Sequence, residues 1–271
     1  MGNGTPSQIL NAQNLLNRSL HQFRADLHVH TVLSPCAEVE MIPPLIVESA
    51  LDNGIHLIAI TDHNSSANFL AVQKAAEETP LVVLPGVELQ TREEVHTLCL
   101  FDNYSQILEF QQIIDRSLPD MQNQPEHFGE QFIVDETGDF IRREDRLLLT
   151  STQISLKEAW HIVRNIGGLF IPAHVNRKAF GLIENLGFVP KDINVNAVEI
   201  SRHISLAEAL RKFPQLVGYP IIQNGDVHRL DEFLGSIIFN ISEATTSEII
   251  LALSESQGRS FTISEQSVGY N

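Results

Sequence analysis

Residues 23–30 read FRADLHVH, an alternation of apolar and polar side chains that predicts a β-strand. On a regular strand Asp26, His28 and His30 share one face, so both imidazoles can reach one cation. A carboxylate behind a histidine ligand fixes the tautomer of its ring, and we assign that role to Asp26. The strand is thus predicted to carry part of a metal site.

The rest of the chain alternates short apolar runs with helical patterns, which is the order of a β/α fold. Further strands are predicted at residues 55–60, 81–86, 95–101, 169–174, 197–200, 220–222 and 236–240. Helices are predicted at residues 41–53, 65–78, 104–117, 155–166, 205–213 and 247–256. These elements make about seven strand–helix units, so we predict the α/β class and a distorted, TIM-like (β/α)7 barrel of mostly parallel strands. Functional residues of such a barrel gather at the carboxyl ends of its strands.

The alternation is interrupted once, at residues 119–150. This stretch carries proline, glycine, asparagine and many acids without a sustained period. We predict an inserted loop or small subdomain there, within a barrel domain that covers residues 23–271. Residues 1–22 are predicted to be an N-terminal extension.

The charge balance limits the partners that we expect. Acidic residues outnumber basic ones 34 to 18, giving a formal net charge of -16. This field repels polyanions, so duplex nucleic acid is not an expected partner, whereas cations at a site would still attract a small phosphorylated substrate. The sequence does not indicate an oligomeric state.

Two further features point to a protein of the cytoplasm. No apolar run approaches the roughly 18–20 residues that span a bilayer, and the opening residues lack the charged-then-apolar order of a secretory signal. The two cysteines, Cys36 and Cys99, give no support to a disulfide framework.

Histidines collect at predicted strand ends. Of the 11 histidines, six lie there beside acids or glycines, namely His28, His30, His63, His96, His174 and His228. Each alone has an ordinary explanation, such as a capping turn or a buried histidine bonded to the backbone. With Glu88 and Asp226, which also follow strands, they would converge on one mouth of a barrel. The remaining five, His21, His56, His127, His161 and His203, receive no metal role.

The mixture of imidazoles and carboxylates suits zinc, manganese or iron without choosing among them. Eight donors exceed what one ion with an open position would use. We therefore predict two or three divalent metal ions that share bridging groups.

Five blocks in order resemble the polymerase and histidinol phosphatase (PHP) family. They are Asp26-Leu27-His28-Val29-His30-Thr31, Ile60-Thr61-Asp62-His63-Asn64, Gly86-Val87-Glu88, Pro172-Ala173-His174 and Asp226-Val227-His228. The resemblance covers residues from about 24 to 240. It implies a distorted seven-stranded β/α barrel that holds two or three metal ions and hydrolyses phosphate esters, with water activated by the metals attacking phosphorus.

The resemblance also implies a distribution of ligands. One ion would take His28, His30, Glu88 and Asp226, and Glu88 would bridge to a second ion on His96 and His174. His63 and His228 would hold a third. A histidine or an acid a few residues past the HxH often completes this third site in the family. Here that stretch reads SPCAE over residues 34–38, so either Cys36 or Glu38 is the substitute, and we assign Glu38.

Catalytic roles are assigned to Asp26, Asp62 and Arg177. Arg177 follows His174 and is a candidate phosphate clamp, because arginine binds oxyanions through two parallel hydrogen bonds. Lys178 and Arg202 are weaker candidates, since a solvated surface charge explains them as well.

Three other functions stay open. A metal-dependent amidohydrolase also places an HxH on the first strand of a barrel, although no suitable bridging lysine precedes His174. A catalytically silent metal-binding module would keep the ligands without turnover. A nuclease acting on short single strands is disfavoured by the absence of interleaved basic and aromatic residues.

Overall fold

The computed structural model describes residues 19–264. Its strands are β1 (His21–Val29), β2 (Leu57–Ile60), β3 (Val82–Gln90), β4 (His96–Leu100), β5 (Phe132–Val134), β6 (Phe140–Arg143), β7 (Leu169–Pro172), β8 (Val198–Ile200), β9 (Ile221–Gln223), β10 (Ile237–Ile241) and β11 (Ser260–Ile263). Its helices are α1 (Pro43–Asp52), α2 (Phe69–Ala75), α3 (Tyr104–Ser117), α4 (Pro125–Phe128), α5 (Leu156–Ile166), α6 (Leu182–Leu186), α7 (Leu206–Lys212) and α8 (Thr246–Leu253). None of these helices is long and apolar enough to cross a membrane. Of the extension predicted for residues 1–22, residues 1–18 lie outside the described residues. Its last two residues already belong to β1, which begins at His21.

Seven strands form one curled sheet in the order β11-β10-β1-β2-β3-β4-β7. β8 and β9 form a separate parallel pair. Backbone hydrogen bonds join this pair to the sheet on both sides. Val175 N, after β7, donates to Glu199 O at 2.8 Å, and Val227 N, after β9, donates to His28 O at 2.9 Å. The strands thus curl into a distorted barrel, which confirms the predicted α/β class and architecture.

The prediction of mostly parallel strands is wrong for the large sheet. β2 runs parallel to β1 and β3, whereas the pairs β1–β10, β10–β11, β3–β4 and β4–β7 are antiparallel. Only the five residues 91–95 separate β3 from β4. A parallel connection needs a dozen residues or more, so the chain turns back as a hairpin.

Apolar side chains fill both faces of the curled sheet. One buried cluster joins alternate residues of the barrel strands, such as Leu57, Leu98 and Ile171, with α8. The other joins the opposite faces of these strands with the covering helices, as Phe110 of α3 and Trp160 of α5 do. The strand ends that carry polar residues are therefore held between two packed layers.

A bulge interrupts β1 at the stretch that carries the first metal ligands. β2 advances two residues from Ile58 to Ile60, while β1 advances three from Asp26 to Val29. The extra residue re-aims side chains, and Leu27 and Val29 pack in different clusters as a result. The single polar face predicted for this strand is therefore broken.

The segment at residues 119–150 contains α4 and the antiparallel pair β5–β6. Leu33, Leu118, Ile133 and Leu148 form a small apolar cluster of their own beneath it. The segment therefore packs against the loop that follows β1, at the end of the barrel where the polar residues collect.

Candidate metal centre

The ends of the strands bring the predicted ligands to one mouth of the barrel. A cavity of about 590 Å³ is lined there by Cys36, His63, Glu88, His96, His174, Asp226 and His228. His28 and His30 are fully buried against these residues. We call His28, His30, Glu88, His96, His174 and Asp226 the inner set, and Cys36, His63 and His228 the outer set.

The first part of the inner set has the spacing of ligands around one ion. The Nε2 atoms of His28 and His30 lie 3.1 Å apart. His28 Nε2 lies 3.3 Å from Glu88 Oε1 and from Asp226 Oδ1, and His30 Nε2 lies 3.5 Å from Glu88 Oε2 and from Asp226 Oδ1. Ligand atoms of a tetrahedral ion with bonds of 2.0–2.2 Å stand about 3.3–3.6 Å apart. These separations are close to that range, so the four side chains have the spacing of ligands to one cation.

Glu88 is the centre of the arrangement. Its Oε1 lies 3.0 Å from His96 Nδ1 and from His174 Nε2, and its Oε2 lies 2.9 Å from His63 Nδ1. A carboxylate with imidazoles on both oxygens has the position of a bridging ligand between ions.

Three imidazoles leave a buried nitrogen without a hydrogen-bond partner among residues 19–264. These atoms are His63 Nδ1, which approaches Glu88 out of hydrogen-bond geometry, His96 Nε2 and His174 Nδ1. An unpaired buried polar atom costs about 1–3 kcal/mol. Coordination to a cation offsets such a cost, because a ring then places its lone pair on the ion. The residues present therefore fit divalent metal ions.

The carboxylates of the inner set stay ionised despite their burial. Burial acts to raise the pKa of Glu88, but His96 and His28 lower it well below its ordinary value. The pKa of Asp226 is also well below its ordinary value, because His28 and a hydrogen bond with His30 outweigh its burial. Two negative charges are thus held at the bottom of the cavity.

The imidazoles differ in protonation although they lie side by side. Burial lowers the pKa of His30 well below its ordinary value, and it lowers that of His96 to about 4. Burial opposes a charge on His28 too, but Glu199 and Asp226 raise its pKa well above the ordinary value. His30 and His96 are therefore neutral near pH 7, the form in which a histidine binds a metal.

The outer set stands on loops rather than in strands. Cys36 Sγ lies 3.3 Å from His63 Nε2 and 3.1 Å from His228 Nε2. Burial raises the pKa of Cys36, but the two imidazoles lower it to about 6. The rings of His30 and His228 stack with centroids 4.1 Å apart, which joins the two sets.

Glu38, which we assigned as a ligand from the sequence, points away from these groups. Its Oε1 accepts from Arg229 Nε at 3.0 Å, and nearly half of its side chain is exposed. Its backbone N–H donates to His228 O at 2.9 Å. The structure therefore places Cys36, and not Glu38, beside the two outer histidines.

Glu199 is a functional residue that the sequence analysis missed. Its carboxylate oxygens lie 3.1 Å from His28 Nδ1, on the side of the ring away from the ligand atoms. Asn224 Nδ2 and His174 N donate to the same carboxylate at 2.7 and 2.8 Å. Glu199 thus fixes the ring of one ligand and the backbone of another. The available signal was an acid inside the apolar run 197–200.

The positioning role predicted for Asp26 is therefore wrong, because Glu199 fills it. Asp26 accepts instead from the backbone N–H groups of Gly225, Leu234 and Gly235. Burial raises its pKa to about 6. A Cβ on Gly225 would lie 2.5 Å from the backbone oxygen of Glu232 and 3.0 Å from Asp26 Oδ2, so glycine permits this close approach. Asp26 anchors the loop that leads to Asp226.

Asp62 supports the other histidine of β1 through a hydroxyl. Ser34 Oγ donates to Asp62 Oδ1 at 2.7 Å and lies 2.9 Å from His30 Nδ1. Thr31 donates to the same carboxylate through its backbone N–H and its hydroxyl, both at 2.7 Å. This places Asp62 one residue removed from a ligand, in a positioning role.

The three candidate phosphate clamps, Arg177, Arg202 and Lys178, differ in their positions relative to the cavity. Arg177 lines the cavity, and its Nη1 donates to Asp226 Oδ2 at 2.6 Å. Arg202 also lines the cavity, but its Nη1 donates to Glu232 O at 3.0 Å. Lys178 is exposed and is not part of the cavity lining. Arg177 is therefore the cation best placed to meet an anion at the inner set.

The loop that carries Arg177 also supplies an aromatic wall. The Phe180 ring stacks on His96 with centroids 4.4 Å apart and planes 6° apart. Phe180 has a φ of 58°, and His174 at the start of the loop has a φ of 29°. Left-handed backbone at residues other than glycine costs energy and is concentrated at functional sites.

Comparisons with known proteins agree with this geometry. A model of the PHP domain family matches residues 26–174, which is more than half of the chain. No curated protein matches the chain.

Solved structures share the fold at low sequence identity. The lesion-specific endonuclease Q from Pyrococcus furiosus is similar with a TM-score of 0.66 and 18% identity, over 89% of this chain and 58% of its own. The present chain therefore spans little more than half of that protein. A Bifidobacterium adolescentis protein, assigned by inference as a metal-dependent phosphoesterase, gives a TM-score of 0.55 and 18% identity over 84% of this chain and 96% of its own. An amidohydrolase from Chromobacterium violaceum gives 0.52 and 20% over 78% of this chain and 90% of its own.

Proposed function

This chain belongs to the PHP domain family, and we propose that it is a metal-dependent hydrolase of phosphate esters that acts on a small phosphorylated substrate. The observation that carries the proposal is the convergence of six imidazoles and two ionised carboxylates in one cavity whose wall presents Arg177. Two or three divalent ions held there would supply Lewis-acid activation of water and neutralise charge on phosphoryl oxygens.

The side chains divide into those that bind ions and those that orient the binding groups. His28, His30, Glu88 and Asp226 would hold one ion, and Glu88 would bridge to a second on His96 and His174. Glu199 and Asp62 keep the two β1 imidazoles in fixed orientations. A site that is held in place before substrate arrives pays little reorganisation in the transition state.

Arg177 is proposed to bind the phosphoryl group. Its guanidinium already meets one carboxylate oxygen of Asp226, and its remaining N–H donors are on a side chain that is nearly half exposed. A phosphoryl group bound at the inner set would lie within reach of these donors, because Arg177 contacts Asp226. Arg202 is held by backbone carbonyls and is proposed to shape the wall of the cavity.

The test compares substrate classes on one metal-loaded preparation. The chain, stripped with a chelator and reloaded with zinc, manganese or iron(II), would be offered a phosphomonoester, a phosphodiester, a single-stranded oligonucleotide, a duplex and a cyclic amide. We expect the wild-type protein to hydrolyse the phosphomonoester and the phosphodiester. The Glu88→Gln variant, loaded in the same way, should be inactive on both.

The other outcomes separate the alternatives. Hydrolysis of the cyclic amide alone would favour an amidohydrolase, and full metal loading without any turnover would favour a silent metal-binding module. Cleavage of the oligonucleotide or of the duplex alone would replace the small substrate by a nucleic acid, against the expectation from the net charge.

A further inference from the structure

The outer set combines a thiol with imidazoles at the lip of the cavity. Cys36 lies on the loop after β1, His63 follows β2 and His228 follows β9. Two hydrogen bonds hold the cysteine loop in place: Ala37 N donates to Ser34 O at 2.9 Å, and Glu38 N donates to His228 O at 2.9 Å. The backbone of the loop that carries the thiol is thus held next to His228.

We propose that the outer ion of this centre is bound by the thiolate of Cys36 together with His63 and His228, and that this thiolate makes the outer position selective for zinc over manganese. The inference rests on the proposed function only in taking the centre to bind cations, and it does not depend on hydrolysis.

The distances fit a sulfur ligand. With a zinc–sulfur bond of about 2.3 Å and a zinc–nitrogen bond of about 2.0–2.1 Å, tetrahedral geometry separates the two ligand atoms by about 3.6 Å. Cys36 Sγ lies 3.3 Å from His63 Nε2 and 3.1 Å from His228 Nε2. The two sulfur–nitrogen distances therefore need to open by about 0.3–0.5 Å around an ion.

The imidazoles of the outer set belong to a cluster of histidines. The ligand atoms of His30, His63 and His228 lie within 4.8 Å of one another. His63 is 5% exposed and also approaches Glu88 with its other nitrogen, at 2.9 Å. The thiol of Cys36 is therefore a further donor beside a histidine cluster that is joined to the inner set.

The position of Glu38 disfavours the oxygen alternative. Its carboxylate is paired with Arg229 at 3.0 Å on the exposed side of the loop. Bringing it to the cluster would break that ion pair and reverse the side chain. Cys36 requires neither change.

The two sets then differ in the metals that they favour. The inner set offers only nitrogen and oxygen, which zinc, manganese and iron all accept. A thiolate is a soft ligand that suits zinc, whereas manganese prefers oxygen. The mouth of the barrel would therefore hold two inner metal positions that accept several metals and one outer position that is selective for zinc.

Cobalt(II) reports the sulfur ligand directly, because a thiolate bound to cobalt gives a charge-transfer band in the near ultraviolet. Chelator-treated protein would be titrated with cobalt(II), and both the band and the cobalt bound per chain measured. Wild-type protein should show the band, and zinc should remove it. Cys36→Ser should lose the band and one bound cobalt while it retains the others.

The chain supplies a matched control in its other cysteine. Cys99 is fully buried in β4, with its Sγ near Thr97. Cys99→Ala should keep both the band and the stoichiometry. A band that survives in Cys36→Ser but disappears in Cys99→Ala would overturn the proposal, as would full cobalt loading of the wild type without any band.

A second variant covers the case in which Cys36→Ser fails to fold. Cys36→His keeps a ligand, so it should bind the same number of ions without the band. The preference of the outer position for zinc over manganese should then fall about tenfold or more, because the soft ligand is gone. An unchanged preference contradicts the proposal. A protein that shows the band but hydrolyses no ester supports this inference and defeats the proposed function.

Discussion

Glu88 and Glu248 are both almost fully buried carboxylates, but they lie at opposite ends of the barrel and are neutralised differently. Glu248 follows β10, at the end where Ile241 pairs with His21 of β1. Arg259 Nε and Nη2 donate to its two oxygens at 3.0 and 2.8 Å, and Ser242 N adds a third hydrogen bond. The charge of Glu248 is thus neutralised by a side chain of the protein, Arg259.

Among the described residues, Glu88 has no arginine or lysine of that kind in its ion pairs; its partners in these pairs are all imidazoles. Each of these rings can offer a lone pair as readily as a proton. The carboxylate is thus surrounded by groups that complete their coordination through a cation. The comparison indicates that Glu248 stabilises the fold, whereas the charge of Glu88 is available to metal ions.

The most severe test of this difference is Glu88→Gln. The amide removes the bridging charge, so the inner set should lose its ions and turnover should fall by about three orders of magnitude or more, since metal charge stabilisation is worth several kcal/mol. Metal analysis and kcat/KM on matched loading measure both. Added manganese, which the inner set accepts, should raise the Tm of the wild type and leave that of the variant nearly unchanged. Retained metal with full activity would contradict the assignment.

Glu248→Gln should do the reverse. Burial acts to raise the pKa of Glu248, but Arg259 and Ser242 lower it below its ordinary value of 4.5. A carboxylate with a lowered pKa stabilises the fold fully above its unfolded value, and that stability is lost as the pH falls through the folded value. At pH 7 the variant should lose about 3 kcal/mol of unfolding free energy, and the loss should shrink towards pH 3.

Denaturant unfolding of chelated protein at the two pH values measures this loss, with metal content as the second readout. Glu208→Gln is the matched control, because the Glu208–Lys212 pair at 2.7 Å is exposed on α7 and such pairs contribute little to stability. A change in bound metal on Glu248→Gln would remove the distinction between the two acids.

The sequence predicted one of these sites far better than the other, for a physical reason. Ligands such as His28, His63 and Asp226 each end an apolar strand, and the barrel brings strand ends together regardless of their separation in sequence. The pairing of Glu248 with Arg259 has no such marker, because a helix acid and a later arginine are ordinary on a protein surface. Strand topology was open to inference at β3–β4, where the gap is too short for a crossover.

Glu199 and Cys36 show where the pattern stops. The partner of Glu199 is His28, 171 residues away, and no local spacing encodes that contact. Asp26 lies two residues from the same histidine, but the bulge in β1 separates them. At residues 34–38 the orientation of two side chains distinguishes Cys36, which faces His63 and His228, from Glu38, which faces Arg229.

Glu199→Gln tests whether a carboxylate can matter to metal without touching it. Loss of its charge should loosen the His28 ring and lower the affinity of the inner set for zinc by about 10–100-fold. Competition with a chromophoric chelator measures this change. Asp26→Asn is the control on the same strand: it should lower the Tm and change zinc affinity much less, because Asp26 binds backbone N–H groups. Equal losses of affinity in the two variants would mean that the positioning role of Glu199 is not specific.

The smallest expected effect is that of Arg177→Ala, which separates binding of the substrate from binding of the metal. Its side chain is nearly half exposed and contacts Asp226 at one oxygen only, so the ions should remain. A charged hydrogen bond to phosphate is worth about 1.5–3 kcal/mol when fully formed, and exposure reduces this, so KM should rise about tenfold with kcat little changed. Lys178→Ala, one residue on and outside the cavity lining, should alter neither value. If kcat falls instead and metal is lost, Arg177 belongs with Glu199 among the residues that position the ligands, and the phosphate would have to be bound elsewhere.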